Sequence, residues 1–195
     1  MFDVMLIKEF YTDCLVKWHQ DEYLEIENYE GIYQIIYNLH LTNYRLWHQE
    51  DIARRTDVAD KVIADVKRKI DKLNQNRNDT IEKIDEYLYQ ILHPQNLSLP
   101  MNSETPGSIL DRMSILSLKI YHMTEETKRI DVDSEHIKTC QEKVHILKEQ
   151  FNDLKNCLDV LLEEIFTGKK RLKVYRQFKM YNDPRLNPQL REITH

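Results

Sequence analysis

Glycine and proline are scarce in this sequence, which contains three glycines and five prolines among 195 residues. A fold made of many tight β-turns needs more of both residues, so the composition argues against an all-β protein. No run of eighteen or more apolar residues occurs, and we therefore expect no membrane-spanning helix. The first residues carry Asp3 and Glu9 and have no small-residue cleavage site, so we expect no signal peptide.

Cysteine is also sparse. Cys14, Cys140 and Cys157 lie far apart, and no two of them form a C-x-x-C pair. An odd number of widely spaced cysteines predicts reduced thiols rather than a disulfide framework, so we expect a cytoplasmic protein. The patterns of a phosphate-binding loop, a nucleophile elbow and an H-E-x-x-H zinc motif are missing as well. The sequence therefore names no reaction.

The sequence shows strong helical periodicity. Apolar residues recur at helical spacing in segments at about 2–19, 27–55, 57–92, 106–123 and 134–166. The segment near 105–123 is apolar on almost every side, which is typical of a central helix. The predicted fold is an all-α antiparallel bundle of about five helices. We expect one bundle domain at 1–182 and an extended, proline-punctuated tail at 183–195.

Capping residues mark the ends of several of these helices. The predicted signals are Thr56 or Asp57 before the third helix, Thr105 followed by Pro106 before the fourth, Asp133 or Ser134 before the fifth, and Gly168 after the fifth.

Polar residues interrupt the apolar stripes of the second and third helices. The 3-4 spacing places Asn43 and Glu50 on the buried stripe of the second helix and Arg77 on that of the third. A buried charge without a partner is costly, so such groups should pair with one another. We predict an interior polar cluster made from Glu50, Asp51, Arg54, Arg77, Asp79 or Asp85, Asp111 and Arg112.

Three interpretations of this cluster stay open. It is a structural network that fixes helix register, or an interhelical pocket that binds the carboxylate or phosphate of an anionic small molecule. In the third, it is an enzymatic site where Glu50 or Asp51 acts as a general base or ligates a hard divalent cation. The candidate ligand-binding residues are Asn43, His48, Glu50, Asp51, Arg54, Asn74, Arg77, Asn78, Asp79, Asp111, Arg112 and Lys119.

We expect no metal site and no cofactor. His48 and Asp51 have the i, i+3 spacing that can ligate one ion, but the di-iron pattern of two Glu-x-x-His motifs with two further glutamates is absent. The other histidines are scattered, and no Cys/His spacing indicates zinc. A single histidine beside Trp47 is more typical of a packed or surface imidazole.

The segment 168–181 is strongly basic, with six positive charges and no acid in a chain of net charge −5. Val174, Phe178 and Tyr181 share one helical face, which predicts a basic amphipathic helix. This helix would lie on an anionic membrane surface, or its aromatic side chains would dock on the bundle. We expect no sequence-specific nucleic-acid binding, because the chain is acidic overall and has no reading motif. The membrane-facing residues would be Lys169, Lys170, Arg171, Lys173, Arg176 and Lys179.

Four stretches together resemble a bacterial family known as domain-of-unknown-function family 4254. They are LWHQEDIAR, NQNRNDTIEKID, TPGSILDRMSILSLKIYHM and VYRQFKMYND, in this order and over most of the chain. The resemblance implies a helical bacterial protein. It carries over no catalytic residue, because the family has no established activity. It also implies proximity to the sugar-transferase genes of cell-surface polysaccharide synthesis.

Two functions follow as expectations. The first, ranked slightly higher, is a structural or interaction protein of scaffold type, with a second copy of the chain as a candidate partner. The second is a binder or enzyme that acts on an anionic small molecule, such as a sugar nucleotide or sugar phosphate. The expected location is the cytoplasm, with peripheral attachment to the inner membrane as the role of the basic segment.

Overall fold

The computed structural model describes residues 3–20, 27–92, 95–178 and 183–191. All regular secondary structure in these ranges is helical, which confirms the all-α prediction. None of the described helices combines the length and apolar character required to cross a bilayer. The elements are a 3-10 helix (Val4–Leu6), α1 (Ile7–Gln20), α2 (Ile32–Ala53), α3 (Asp60–Gln90), α4 (Pro106–Glu126), α5 (Ser134–Phe166) and the short α6 (Pro188–Arg191).

Most of the predicted caps are present. The Thr105 side chain accepts a hydrogen bond from the backbone N–H of Ser108, with proline at the start of α4, and the Asp133 side chain caps α5. Gly168, with φ of 71°, follows the end of α5. The cap predicted for α3 is wrong, because α3 starts after Ala59 while the Asp57 carboxylate pairs with the Arg55 guanidinium.

Helix direction determines which side chains can meet. Helices α1, α2 and α4 run the same way, whereas α3 and α5 run the opposite way, so successive helices from α2 to α5 are antiparallel. The residue pairs that fix these directions are Tyr11–His40 and His19–His48 (α1 with α2), His40–Ser114 and His48–His122 (α2 with α4), and Arg77–Asp111 and Asp85–Gly107 (α3 with α4). The C-terminal halves of α1, α2 and α4 therefore lie at one end of the bundle.

Helix α4 is the central helix, as predicted, and it packs against α1, α2, α3 and α5. Leu110 and Met113 are fully buried at its centre. At its first turn the backbone of α4 approaches α3 closely: a Cβ atom on Gly107 would lie 2.6 Å from the Ile81 carbonyl oxygen. Glycine is therefore required at this crossing, where the Gly107 N–H donates to the Asp85 carboxylate (2.8 Å).

The basic segment differs from the prediction: residues 171–178 are not helical. Leu172 is buried, and the Gln95 side chain binds both its N–H (2.6 Å) and its carbonyl oxygen (3.2 Å). These two backbone groups are therefore not used for helical hydrogen bonds. The Arg176 guanidinium pairs with Glu82 and Glu86 of α3. The predicted aromatic docking is wrong for two side chains, since Tyr175 and Phe178 are 62% and 88% exposed.

Two further predictions concern the end of the chain. Lys179 and Tyr181 lie outside the described residues, so their predicted roles are not tested. The tail predicted to be extended over 183–195 contains one helical turn, α6.

Candidate functional site: a polar cleft and a histidine cluster

Asp111 is the centre of the polar contacts between α2, α3 and α4. Its carboxylate is 4% exposed and forms a bidentate pair with the Arg77 guanidinium, whose Nε donates to Asp111 Oδ1 over 2.8 Å. The Asn43 amide donates to the same oxygen (2.9 Å). These hydrogen bonds raise the pKa of Arg77 above its ordinary value. The three residues, each predicted as a site residue, are thus brought together.

A chain of hydrogen bonds continues from this centre into the core. Asn43 also donates to Ser114 Oγ (3.0 Å), and Ser114 lies 2.7 Å from His40 Nδ1. His40 Nε2 lies 3.1 Å from the Tyr11 carbonyl oxygen, which can only accept, so this nitrogen carries the proton and Nδ1 accepts from the serine. Burial lowers the pKa of His40 to about 3. The imidazole is therefore neutral and structural.

In front of the Arg77–Asp111 pair lies a cleft of about 270 Å³ between α2, α3 and α4. Its polar lining combines two carboxylates and two guanidiniums, and Arg54 pairs with Glu50 at 3.0 Å on its rim. The Arg77 side chain is 28% exposed, so part of its guanidinium remains accessible. The lining residues are Asn43, Leu46, Trp47, Glu50, Asp51, Arg54, Arg77, Ile115 and Leu118.

Several predicted members of the cluster lie elsewhere. Arg112 is exposed and pairs with Glu104 at 2.7 Å, because it follows Asp111 by one residue and so points about 100° away around α4. The Asp79 carboxylate accepts from the Gln75 side chain on the same helix. Lys119 is exposed and lines two neighbouring surface pockets, but it does not line the cleft.

Three other predicted residues belong to α3. Asn74 and Asn78 are half-buried, and neither lines the cleft. Asp85 is buried but lies at the first turn of α4, where it accepts the Gly107 N–H. Burial raises the pKa of Asp85 to about 6, against the lowering effect of its hydrogen bonds from Thr105 and Gly107.

His48 is not the lone imidazole that the sequence suggested. It lies with His19 of α1 and His122 of α4, and the ring centroids of the three are 5.2 to 5.8 Å apart. One ring nitrogen from each histidine lies within 4.8 Å of the other two. We call these three residues the histidine cluster. Trp47 connects it to the cleft, because its indole stacks on His122 at 4.7 Å and 5°.

The Nε2 atoms of the histidine cluster are shielded from solvent and have no hydrogen-bond partner among the described residues. His19 Nδ1 lies 2.8 Å from the Leu15 carbonyl oxygen and must donate to it, so the lone pair is on Nε2. Burial, with the positive charge of neighbouring histidines, lowers the pKa of His48 and of His122. Both are therefore neutral at pH 7, with nitrogen lone pairs available.

Neighbouring aromatic side chains hold the three rings in place. His19 stacks on Tyr121 at 4.2 Å, and Tyr44 meets His48 edge to face at 4.5 Å. Sequence reasoning named neither His19 nor His122 as a site residue. The one signal was positional, since each histidine lies near the C-terminal end of its helix, but its meaning depends on α1, α2 and α4 running in parallel.

The cleft lies in a part of the chain that matches a known protein family. No curated protein and no solved structure matches the chain. The family described as "Protein of unknown function (DUF4254)" matches residues 33–174, about three quarters of the chain. The match contains α2, α3, α4 and α5, and so includes the whole cleft and two of the three clustered histidines. This chain belongs to the DUF4254 family.

Proposed function

We propose that this protein binds a small polar molecule, the size of one sugar unit with at most one phosphate, in the cleft between α2, α3 and α4. The observation that carries the proposal is the Arg77–Asp111 pair at the cleft floor. Two guanidinium nitrogens are fixed by Asp111, so the remaining N–H groups of a half-buried Arg77 are already oriented for a ligand oxygen.

The walls of the cleft suit a sugar ring. Trp47 offers an apolar surface, while Glu50 and Asp51 offer acceptors and Arg77 offers a donor for hydroxyl groups. Such a mixture of one aromatic surface and a few placed polar groups is typical of small-molecule sites.

Size and charge narrow the ligand class. A volume of about 270 Å³ lies just below the roughly 300–1,000 Å³ of sites for drug-sized ligands, which disfavours a complete sugar nucleotide. The two guanidiniums of the lining are balanced by two carboxylates, with Asp111 behind them, so a multiply charged anion is disfavoured too. A sugar-sized ligand would fit a role in cell-surface polysaccharide synthesis, which is part of the proposal.

An interaction protein of scaffold type is the second candidate. Its specific support is α5, where the apolar side chains Ile146 and Val160 are 51% and 54% exposed. If the protein is such a scaffold, the contacts among Arg77, Asp111 and Asn43 only fix the register of the helices, and the cleft binds no ligand.

Thermal-shift measurements with monosaccharides, sugar phosphates and nucleotide sugars separate these candidates. A ligand at 100 times its Kd adds about 2.7 kcal/mol of stability, which for a chain of this size raises the Tm by about 5–10 °C. Glu50→Gln should weaken that ligand at least about tenfold, because a hydroxyl group loses its charged acceptor. Arg112→Ala is the matched control, since it removes an arginine outside the cleft. No shift with any compound, in a well-folded sample, would overturn the sugar-site proposal in favour of the interaction role.

A further inference from the structure

Hydrogen bonds among the described residues leave a ring nitrogen of each histidine in the histidine cluster without a partner. One ring nitrogen from each of His19, His48 and His122 lies within 4.8 Å of the other two, and the Nε2 atom of each is shielded from solvent and has no partner among the described residues. A buried polar atom left unsatisfied costs free energy, and three together at one point are unusual in a folded protein. A single species that accepts three lone pairs would satisfy all of them.

We propose that His19, His48 and His122 form a tridentate site for a divalent transition-metal ion of the zinc class, bound through their three Nε2 atoms. The site is independent of the sugar-sized cleft, although Trp47 borders both.

The distances permit this coordination. Two nitrogens bound to one tetrahedral zinc ion at 2.0–2.1 Å lie about 3.4 Å apart. One ring nitrogen from each histidine lies within 4.8 Å of the other two, so ring rotations of modest size bring three nitrogens to this spacing.

The orientation of His19 also fits a metal ligand. Its Nδ1–H donates to the Leu15 carbonyl oxygen (2.8 Å), which leaves the Nε2 lone pair directed at the other two rings. Metal-binding histidines almost always donate the second ring N–H to a carbonyl or carboxylate in this way. The stacking of His19 on Tyr121 and of His122 on Trp47 limits rotation of both rings.

The donor set selects the class of ion. Three neutral imidazoles suit zinc, copper, nickel and iron rather than magnesium or calcium, which require oxygen ligands. Three neutral ligands do not compensate the charge of the ion. They also leave one tetrahedral position free for water or another ligand. Glu125 follows His122 by three residues on α4, so its carboxylate lies near the site and partly balances a cation.

The test uses the full chain without a polyhistidine tag, treated with chelator and titrated with Zn²⁺ by calorimetry. We expect one ion per chain, and Co²⁺ in its place should give the intense visible absorption of a tetrahedral site. His122→Phe keeps the stacking on Trp47 and His48→Gln keeps a polar side chain. Each should weaken Zn²⁺ binding at least about 100-fold, since loss of an outer-shell partner alone costs 10–100-fold.

His145→Gln is the matched control, because His145 is an exposed histidine on α5 and should not affect the titration. Glu50→Gln should also leave it unchanged, which separates this site from the cleft. The proposal is overturned if the wild-type chain takes up no ion. It is equally overturned if the control weakens binding as much as the cluster variants, or if Co²⁺ shows only the pale spectrum of an octahedral ion.

Discussion

Two groups of buried polar side chains lie side by side between α2 and α4, and they differ in how their hydrogen bonds are completed. In the chain that runs from Arg77 through Asp111, Asn43 and Ser114 to His40, each side chain has a partner within the protein. In the histidine cluster, three Nε2 atoms have none among the described residues. Complete pairing indicates that these contacts stabilise the fold and hold Arg77 in position at the cleft, whereas incomplete pairing indicates a missing partner, because an unsatisfied buried polar group costs about 1–3 kcal/mol.

Removal of Asp111 should have the largest effect. Asp111→Ala leaves the half-buried Arg77 guanidinium without its counter-charge and Asn43 without an acceptor, so we expect a loss of about 3–4 kcal/mol in the free energy of unfolding. Urea denaturation measures the loss.

A double variant tests the structural role of this pair directly. Arg77→Met with Asp111→Leu removes both charges and should recover most of the stability lost in the single variant. If the double variant is as unstable as Asp111→Ala, the pair contributes more to stability than the mutual compensation of two charges.

Asp85 is a third kind of buried polar group, a carboxylate that is hydrogen-bonded but whose ionised form is destabilised by burial. Burial raises its pKa to about 6, above the ordinary value of 3.8 that the unfolded chain should show. The contribution of Asp85 to the free energy of unfolding is fully present below pH 3.8, the pKa in the unfolded chain. It is lost as the pH rises through about 6, the pKa in the folded protein, and the loss reaches about 3 kcal/mol.

Asp85→Asn does not titrate, and its amide oxygen can still accept the Gly107 N–H. The free energy of unfolding of the variant should therefore increase relative to that of the wild type between pH 4 and pH 7. Denaturation at a series of pH values checks this, and a difference that stays constant or changes in the opposite direction would count against it.

The smallest effect is expected at the histidine cluster without metal. His122→Phe removes no hydrogen bond made with a described residue and keeps the stacking on Trp47, so stability in the metal-free protein should change by less than about 1 kcal/mol. With Zn²⁺ at 100 times its Kd, the wild type alone should gain about 2.7 kcal/mol. A loss as large as that of Asp111→Ala without metal would mean that His122 has a structural role.

Helical periodicity predicted those parts of the structure that depend on neighbouring residues along the chain. The Thr105–Pro106 cap and the Asp133 cap located α4 and α5, and the 3-4 spacing placed Asn43 and Arg77 on facing stripes. Arg112 was misplaced because a central helix is apolar almost all round, so its sequence does not show which side reaches water.

The basic segment and the histidine cluster depend on contacts between distant parts of the chain. The two hydrogen bonds between Gln95 and Leu172, one donated by each residue, outweigh the helical pattern of residues 171–178. His19, His48 and His122 come from three helices, and no spacing along the chain connects them. Only the relative direction of those helices brings them together.

The parallel course of α1, α2 and α4 has an electrostatic consequence. Every helix has an excess of negative potential at its carboxyl end, where the last carbonyl groups have no partner N–H in the helix. The amino ends of the antiparallel helices α3 and α5 lie at the same pole and offset part of this potential. Three carboxyl ends against two amino ends leave a net negative backbone potential near His19, His48 and His122, which attracts cations before any side-chain charge is considered.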